Sequence, residues 1–146
     1  MSMEEAVLEE EQEELLEIKK LNTHTNILKN NAYKILSLTD NYASILISAE
    51  TCERVKESGL IYDGVIFSAA IFTATAAVNE KNMFLIGVNT DFLNPIKENE
   101  DIIFEANVNN TSSGKKVVTV RAQINDIEFM RGDFVLLKLD EKSLIK

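Results

Sequence analysis

Tryptophan is absent from this 146-residue chain, and cysteine, histidine and proline occur once each. A lone Cys52 excludes an internal disulfide, and Cys52 with His24 as the only thiol and imidazole excludes a Cys/His zinc cluster built by one chain, so no metal site is expected. The two residues are far apart in sequence, which leaves Cys52 to be read as a structural thiol and removes the usual nucleophile–imidazole arrangements.

Positive charge is also scarce. Fifteen Lys and Arg stand against 24 Asp and Glu, for a formal net charge of −9, and no basic run exists to neutralise a phosphate backbone; nucleic acid is therefore not expected as the main partner. No positively charged start is followed by an apolar run, so a secretory signal is not expected and the cytoplasm is the expected location. The apolar run from Val65 to Asn79, free of ionisable side chains, falls short of the roughly 20 residues a membrane-spanning helix needs.

What is present divides unevenly. Residues 1–20 hold eight Glu and two Lys, and so carry −6 of the charge, with Leu8, Leu15 and Ile18 as a thin apolar stripe. This reads as an exposed acidic helix, a surface for a protein partner or simply a solvated face. Ile27, Leu28, Ile35 and Leu36 recur at helical spacing behind cap residues Asn22, Thr23 and Thr25, which predicts a second helix within Lys20–Leu38. The expected organisation is a helical extension over 1–40 and one folded domain over 41–146.

Within that domain, YASILISAE alternates Ala43, Ile45, Ile47 and Ala49 with Tyr42, Ser44, Leu46 and Ser48, as a half-buried first strand does. The segment YDGVIFSAAIFTATAAVNE, Tyr62 to Glu80, is alanine-rich and longer than a usual strand. It predicts a helix apolar all round, hence one enclosed by the rest of the fold. Asp63 stands where an N-cap would, and Asn79 where the helix should end.

Four strands follow. MFLIGVNTDFL sets Phe84, Ile86, Val88, Thr90 and Phe92 on one face; DIIFEANVN directs Ile102, Phe104, Ala106 and Val108 inward; VVTVRAQI does the same with Val118, Val120, Ala122 and Ile124 after a turn at Gly114. Arg121 is expected opposite Glu105 across that hairpin, and Gly132 marks a bulge in the last strand, IEFMRGDFVLLKL. Strand, buried helix, then four strands joined mainly by short turns describes an α+β domain with an antiparallel sheet wrapped on one helix.

That order, with GLIYDGVIFSAAIFTATAAVN, DFLNPIKENEDI and EFMRGDFVLL, resembles the hot-dog fold of acyl-CoA thioesterases, dehydratases and acyl-CoA-sensing repressors. The resemblance spans about Tyr42 to Leu139. It implies a homodimer joined edge to edge, with an acyl-CoA site beside the helix and no required cofactor beyond coenzyme A or acyl-CoA as ligand. In the phenylacetate-type thioesterases a His-Gly-Gly motif precedes the helix, and an acid follows seven positions after its second Gly. The matching positions here read Tyr62, Asp63, Gly64 and then Ile71.

Thioester hydrolysis needs a carboxylate to attack or to activate water, together with donors for the oxyanion, and Ile71 cannot be that carboxylate. No catalytic residue is therefore expected, and the leading reading is a non-catalytic acyl-CoA sensor or regulatory module. Its ligand-facing candidates are Tyr62, Asp63, Gly64, Val65, Phe67, Ser68 and Ile71, with Arg121 and Arg131, alongside Lys115 and Lys116, available to coenzyme A phosphates. A thioesterase with a displaced acid, Asp63 ahead of Glu50, Glu80 or Asp91, stays open, as does an interaction module that has kept only the scaffold.

Overall fold

The computed structural model describes residues 2–3, 18–29, 32–97 and 99–140. The acidic helix expected ahead of Ile18 falls outside the described residues. Strands β1 (Tyr33–Thr39), β2 (Tyr42–Ile47), β3 (Met83–Phe92), β4 (Ile102–Ser112), β5 (Lys115–Ile124) and β6 (Ile127–Lys138) form one antiparallel sheet in the order β1-β2-β4-β5-β6-β3. Helix α1 (Asp63–Val78) lies across its concave face, chiefly on β4, β2 and β5.

Short turns set this topology. Ser113–Gly114 and Asn125–Asp126 both place two consecutive residues at positive φ, the geometry whose twist matches that of the flanking strands. The inward residues of β4 and β5 are those the alternation predicts, with Phe104, Ala106, Val118, Val120 and Ala122 fully buried.

The structure corrects the reading of residues 20–38. A 3-10 turn over Thr25–Lys29 is followed by β1, which pairs with β2 through a two-residue turn at Asp40–Asn41, Asn41 taking φ 62°. Asn30 and Asn31, weak helix formers, interrupt the apparent helical spacing, and ladder hydrogen bonds to β2 outweigh it. YASILI is accordingly the second strand, and the sheet begins at Tyr33 rather than after residue 40.

Two expected strand details also change. The register of β3 on β6 slips between Leu85 and Gly87, so Phe84 and Ile86 leave the face that Val88 shares with buried Phe134 and become exposed. Gly132 is not a bulge, since it sits in regular register opposite Thr90; the extra residue of β6 is Phe129. Glycine is needed at 132 because a Cβ would lie 2.7 Å from the Asn89 carbonyl oxygen and 2.5 Å from the Thr90 Cβ.

Helix α1 is enclosed along its second half, where every residue from Phe72 to Val78 is buried. Thr73 and Thr75 return their hydroxyls to the carbonyls of Ala69 and Ile71, at 2.7 and 2.8 Å, so their burial leaves no orphan donor. At the C-terminus Asn79 adopts the left-handed conformation (φ 54°, ψ 37°) and its N–H caps the Thr75 carbonyl at 2.9 Å, as its sequence position predicts.

The Asn79 side chain then grips the N-terminal arm. Its Oδ1 accepts from the Asn22 N–H at 2.7 Å, and its Nδ2 donates to the Lys20 carbonyl at 2.9 Å. The arm buries Leu21 against the core, and the Lys19 N–H joins the end of β1 at the Leu38 carbonyl, 2.8 Å away. No described helix is long and apolar enough to cross a membrane.

Asn79 therefore combines a backbone and a side-chain role that substitution can separate. Asn79→Gly retains the left-handed cap and loses two hydrogen bonds, with an expected cost of about 1–3 kcal/mol. Asn79→Ala adds backbone strain and is expected to cost about 1 kcal/mol more. Urea unfolding of the native protein and the two variants measures both steps, and an Asn79→Gly variant as stable as the native protein would refute the clamp.

Candidate functional site

The chain between β2 and α1 folds back over the start of the helix. A 3-10 turn at Ala49–Thr51 leads to a bridge between Arg54 and Ile61, and the Tyr62 N–H donates to the Glu53 carbonyl at 2.9 Å. Arg54 fastens this loop: one guanidinium nitrogen donates to the carbonyls of Gly59 and Lys97, each at 2.9 Å, and the other to Asn99 Oδ1 at 2.6 Å. The Ile61 N–H reaches the carbonyl of buried Ile96 at 2.8 Å. Two loops distant in sequence thus form one rigid wall.

Between that wall and the helix lies a cleft of about 450 Å³. Its floor is the buried pair Ala32 and Ile47; half-buried Tyr33, Cys52, Gly64 and Val65 form the sides; Thr51, Glu53, Tyr62 and Ser68 stand exposed at the rim. The Tyr62 ring lies over the first helical turn so closely that a Cβ on Gly64 would be 2.5 Å from it. Glycine at 64 lets the ring rest there.

The first turn of a helix carries unpaired N–H groups and the positive end of the dipole. Here the Val65 N–H turns back to the Tyr62 carbonyl at 3.0 Å, while the Gly64 N–H meets no acceptor among the described residues. It is an unpaired donor on a residue that lines a cleft with an apolar floor, a combination suited to a carbonyl oxygen.

The predicted site residues divide accordingly. Tyr62, Gly64, Val65 and Ser68 come together in the cleft; Ser68, expected within a buried helix, is exposed. Asp63 is not the N-cap: Tyr62 occupies that position without a side-chain cap, and Asp63 is an exposed first-turn residue outside the cleft lining. Phe67 packs toward Phe134, with ring centroids 6.1 Å apart, and Ile71 is half-buried against the core; neither lines the cleft.

Arg121 and Arg131 are directly opposed on β5 and β6, on the sheet face turned away from α1. Arg121 meets Glu105 and Glu128, each at 3.5 Å, and Arg131 approaches Glu128 at 4.0 Å. The expected pairing of Arg121 with Glu105 is present, and it holds the guanidinium away from the cleft of its own chain. Glu50, Glu80 and Asp91 also lie outside the cleft.

The carboxylate that does line it, Glu53, belongs to no motif in the sequence, and neither does Tyr33. Both arrive through the Arg54 staple and the β1 hairpin, and nothing in the local pattern announces either. Burial pushes the Cys52 thiol above its ordinary value, partly offset by Arg54, and pushes the Tyr33 phenol up as well, with Cys52 adding to the effect. Cys52 also donates to the Ser48 carbonyl at 3.4 Å.

No protein-family sequence model matches the chain. Its architecture nevertheless recurs among solved structures. An uncharacterised protein from Pyrococcus horikoshii superposes with a TM-score of 0.79 at 24% identity, over 87% of this chain and 98% of the other. A sigma28-regulated virulence protein from Campylobacter jejuni gives 0.74 at 29% identity, over 83% and 94%. The PaaI protein from the phenylacetic acid degradation operon of E. coli gives 0.72 at 15% identity, over 80% and 86%. The shared element is one helix held in a curved antiparallel sheet. The chain has the hot-dog fold.

A methylthioribose-1-phosphate isomerase from Aquifex aeolicus is 32% identical over 114 residues, which are 78% of this chain and 25% of that protein. The hot-dog chain thus spans about a quarter of the length of the curated relative it matches.

The titrating groups of the cleft make a signed prediction. The folded values of Tyr33 and Cys52 lie above the ordinary 10.0 and 9.0, as does that of Tyr42, raised by burial and by Glu105. The stability they contribute is complete below those ordinary values and is lost as pH rises through the raised ones. Urea midpoints should hold from neutral pH to about pH 9 and fall beyond it, and Tyr33→Phe with Cys52→Ser should flatten the fall.

Proposed function

We propose that this protein binds an acyl-CoA or related acyl thioester in the cleft at the start of α1, holds it without efficient hydrolysis, and serves as a sensor or regulatory module. The observation that carries the reading is the unpaired N–H of Gly64, a cleft-lining residue, beside an apolar floor, an arrangement suited to a thioester carbonyl at its oxygen with the acyl group below. On the helix, Ile71 offers no group to activate water, and the first-turn carboxylate of Asp63 lies outside the lining.

A homodimer accompanies this reading. The outer edge of β3 has no strand partner among the described residues, and Phe84, Ile86, Phe92 and Leu93 are exposed along and just beyond it. A second copy pairing there would satisfy the edge and cover apolar surface.

One observation favours a second reading, slow hydrolysis. Glu53 stands at the cleft rim, where a carboxylate can activate a water molecule, so the displaced acid of a residual thioesterase would be Glu53 rather than Asp63.

Cys52, the only thiol in the chain, reports on the cleft directly. Saturating butanoyl-CoA should slow its alkylation by iodoacetamide severalfold, while adenosine bisphosphate should not. Thiol release from butanoyl-CoA should stay near the uncatalysed rate, and Ile71→Asp and Glu53→Gln locate any activity gained or lost. Unchanged alkylation with no calorimetric heat would overturn the binding reading; native turnover abolished by Glu53→Gln would replace it with the thioesterase.

A further inference from the structure

One side of the cleft is built differently from the rest. Tyr33 lines it, and behind Tyr33 the Phe72 ring is stacked almost parallel, with centroids 5.5 Å apart and planes 8° from each other. Phe72 is only 5% exposed and comes from the turn of α1 that follows Ser68, so it belongs to the helix–sheet core. The two rings form a partition between cleft and core.

An acyl chain entering from the Gly64 end would pass over Ala32 and Ile47 and then meet this partition. Both floor residues are buried, at 8% and 0% exposure. Each methylene seated on the floor should raise affinity about fourfold. A methylene beyond the partition has no apolar surface to enter and should add little. Moving stacked aromatic rings in a close-packed interior would forfeit contacts on both their faces.

We infer that Tyr33 sets the length of acyl group this protein accepts, so that the Tyr33–Phe72 stack restricts the cleft to short acyl chains. The inference rests on the acyl-thioester reading and goes beyond it by naming the ligand class and the residue that selects it. Tyr33 acts through its ring, as a wall, and its hydroxyl is not needed for the selection.

The test is calorimetric titration of the native protein, Tyr33→Phe, Tyr33→Ala and Tyr33→Trp with acetyl-, butanoyl-, octanoyl- and dodecanoyl-CoA. In the native protein affinity should climb with length and then break, and Tyr33→Phe should keep the same break. Tyr33→Ala should move it to longer chains, raising dodecanoyl-CoA affinity on the order of tenfold. Tyr33→Trp should move it to shorter chains, and it supplies the measurement if the alanine variant is unfolded by circular dichroism. A break that stays in place in the folded Ala or Trp variants, or native affinity independent of acyl length, overturns the inference and leaves acyl-CoA binding intact. Failure of the native protein to bind any of the four ligands overturns both.

Discussion

Close approach of α1 to the sheet is the constraint on which the rest of this molecule depends. The contact is made of small side chains on both sides. Ala69, Ala70, Ala74, Ala76 and Ala77 line the helix, and Ala43, Ala106 and Ala122 stand on the three central strands, with Ala43 directly opposite Ala106. Small residues let a sheet curve around a helix without opening voids, and Phe104 and Phe134 are fully buried in the same core. Nearly the whole second half of α1 is consumed by this packing. Only its first turns remain open to the surface, which is why the cleft lies there.

The same constraint explains what the sequence made legible. A segment free of ionisable groups for four turns has to be enclosed, and the alternation in β2, β4, β5 and β6 supplies the enclosing surface; the helix and the inward sets of β4 and β5 follow from residue pattern alone. The misread elements are those decided by partners distant in sequence. Tyr33–Thr39 carries a weak helical period and becomes a strand because β2 offers it a ladder. Phe84 and Ile86 alternate correctly and still end exposed, because the register of β3 slips by one residue. Gly132 carries the signature of a bulge, yet its cause is the crowding of Thr90 and Asn89 across the strand pair.

The site was legible in half. Tyr62, Gly64, Val65 and Ser68 gather because a helix start is a local feature that a short motif can mark. Cys52 and Glu53 join them beside an arginine that bonds two carbonyls and a side-chain amide in separate loops, and Tyr33 joins them through the pairing of β1 with β2; no spacing rule reports such contacts. Arg121 and Arg131 show the converse. Their charge suits phosphate, but strand alternation turns them to the outer face, where Glu105 and Glu128 already hold them.

Asn79 accepts from one residue of the arm and donates to another two positions earlier, the same pattern of bonds a neighbouring strand would make. One side-chain amide thus behaves as a single rung of sheet, placed at the end of a helix. A rung has a register. Displacing the arm by one residue would break both bonds together and withdraw Leu21 from the core, so the chain enters the domain in only one alignment.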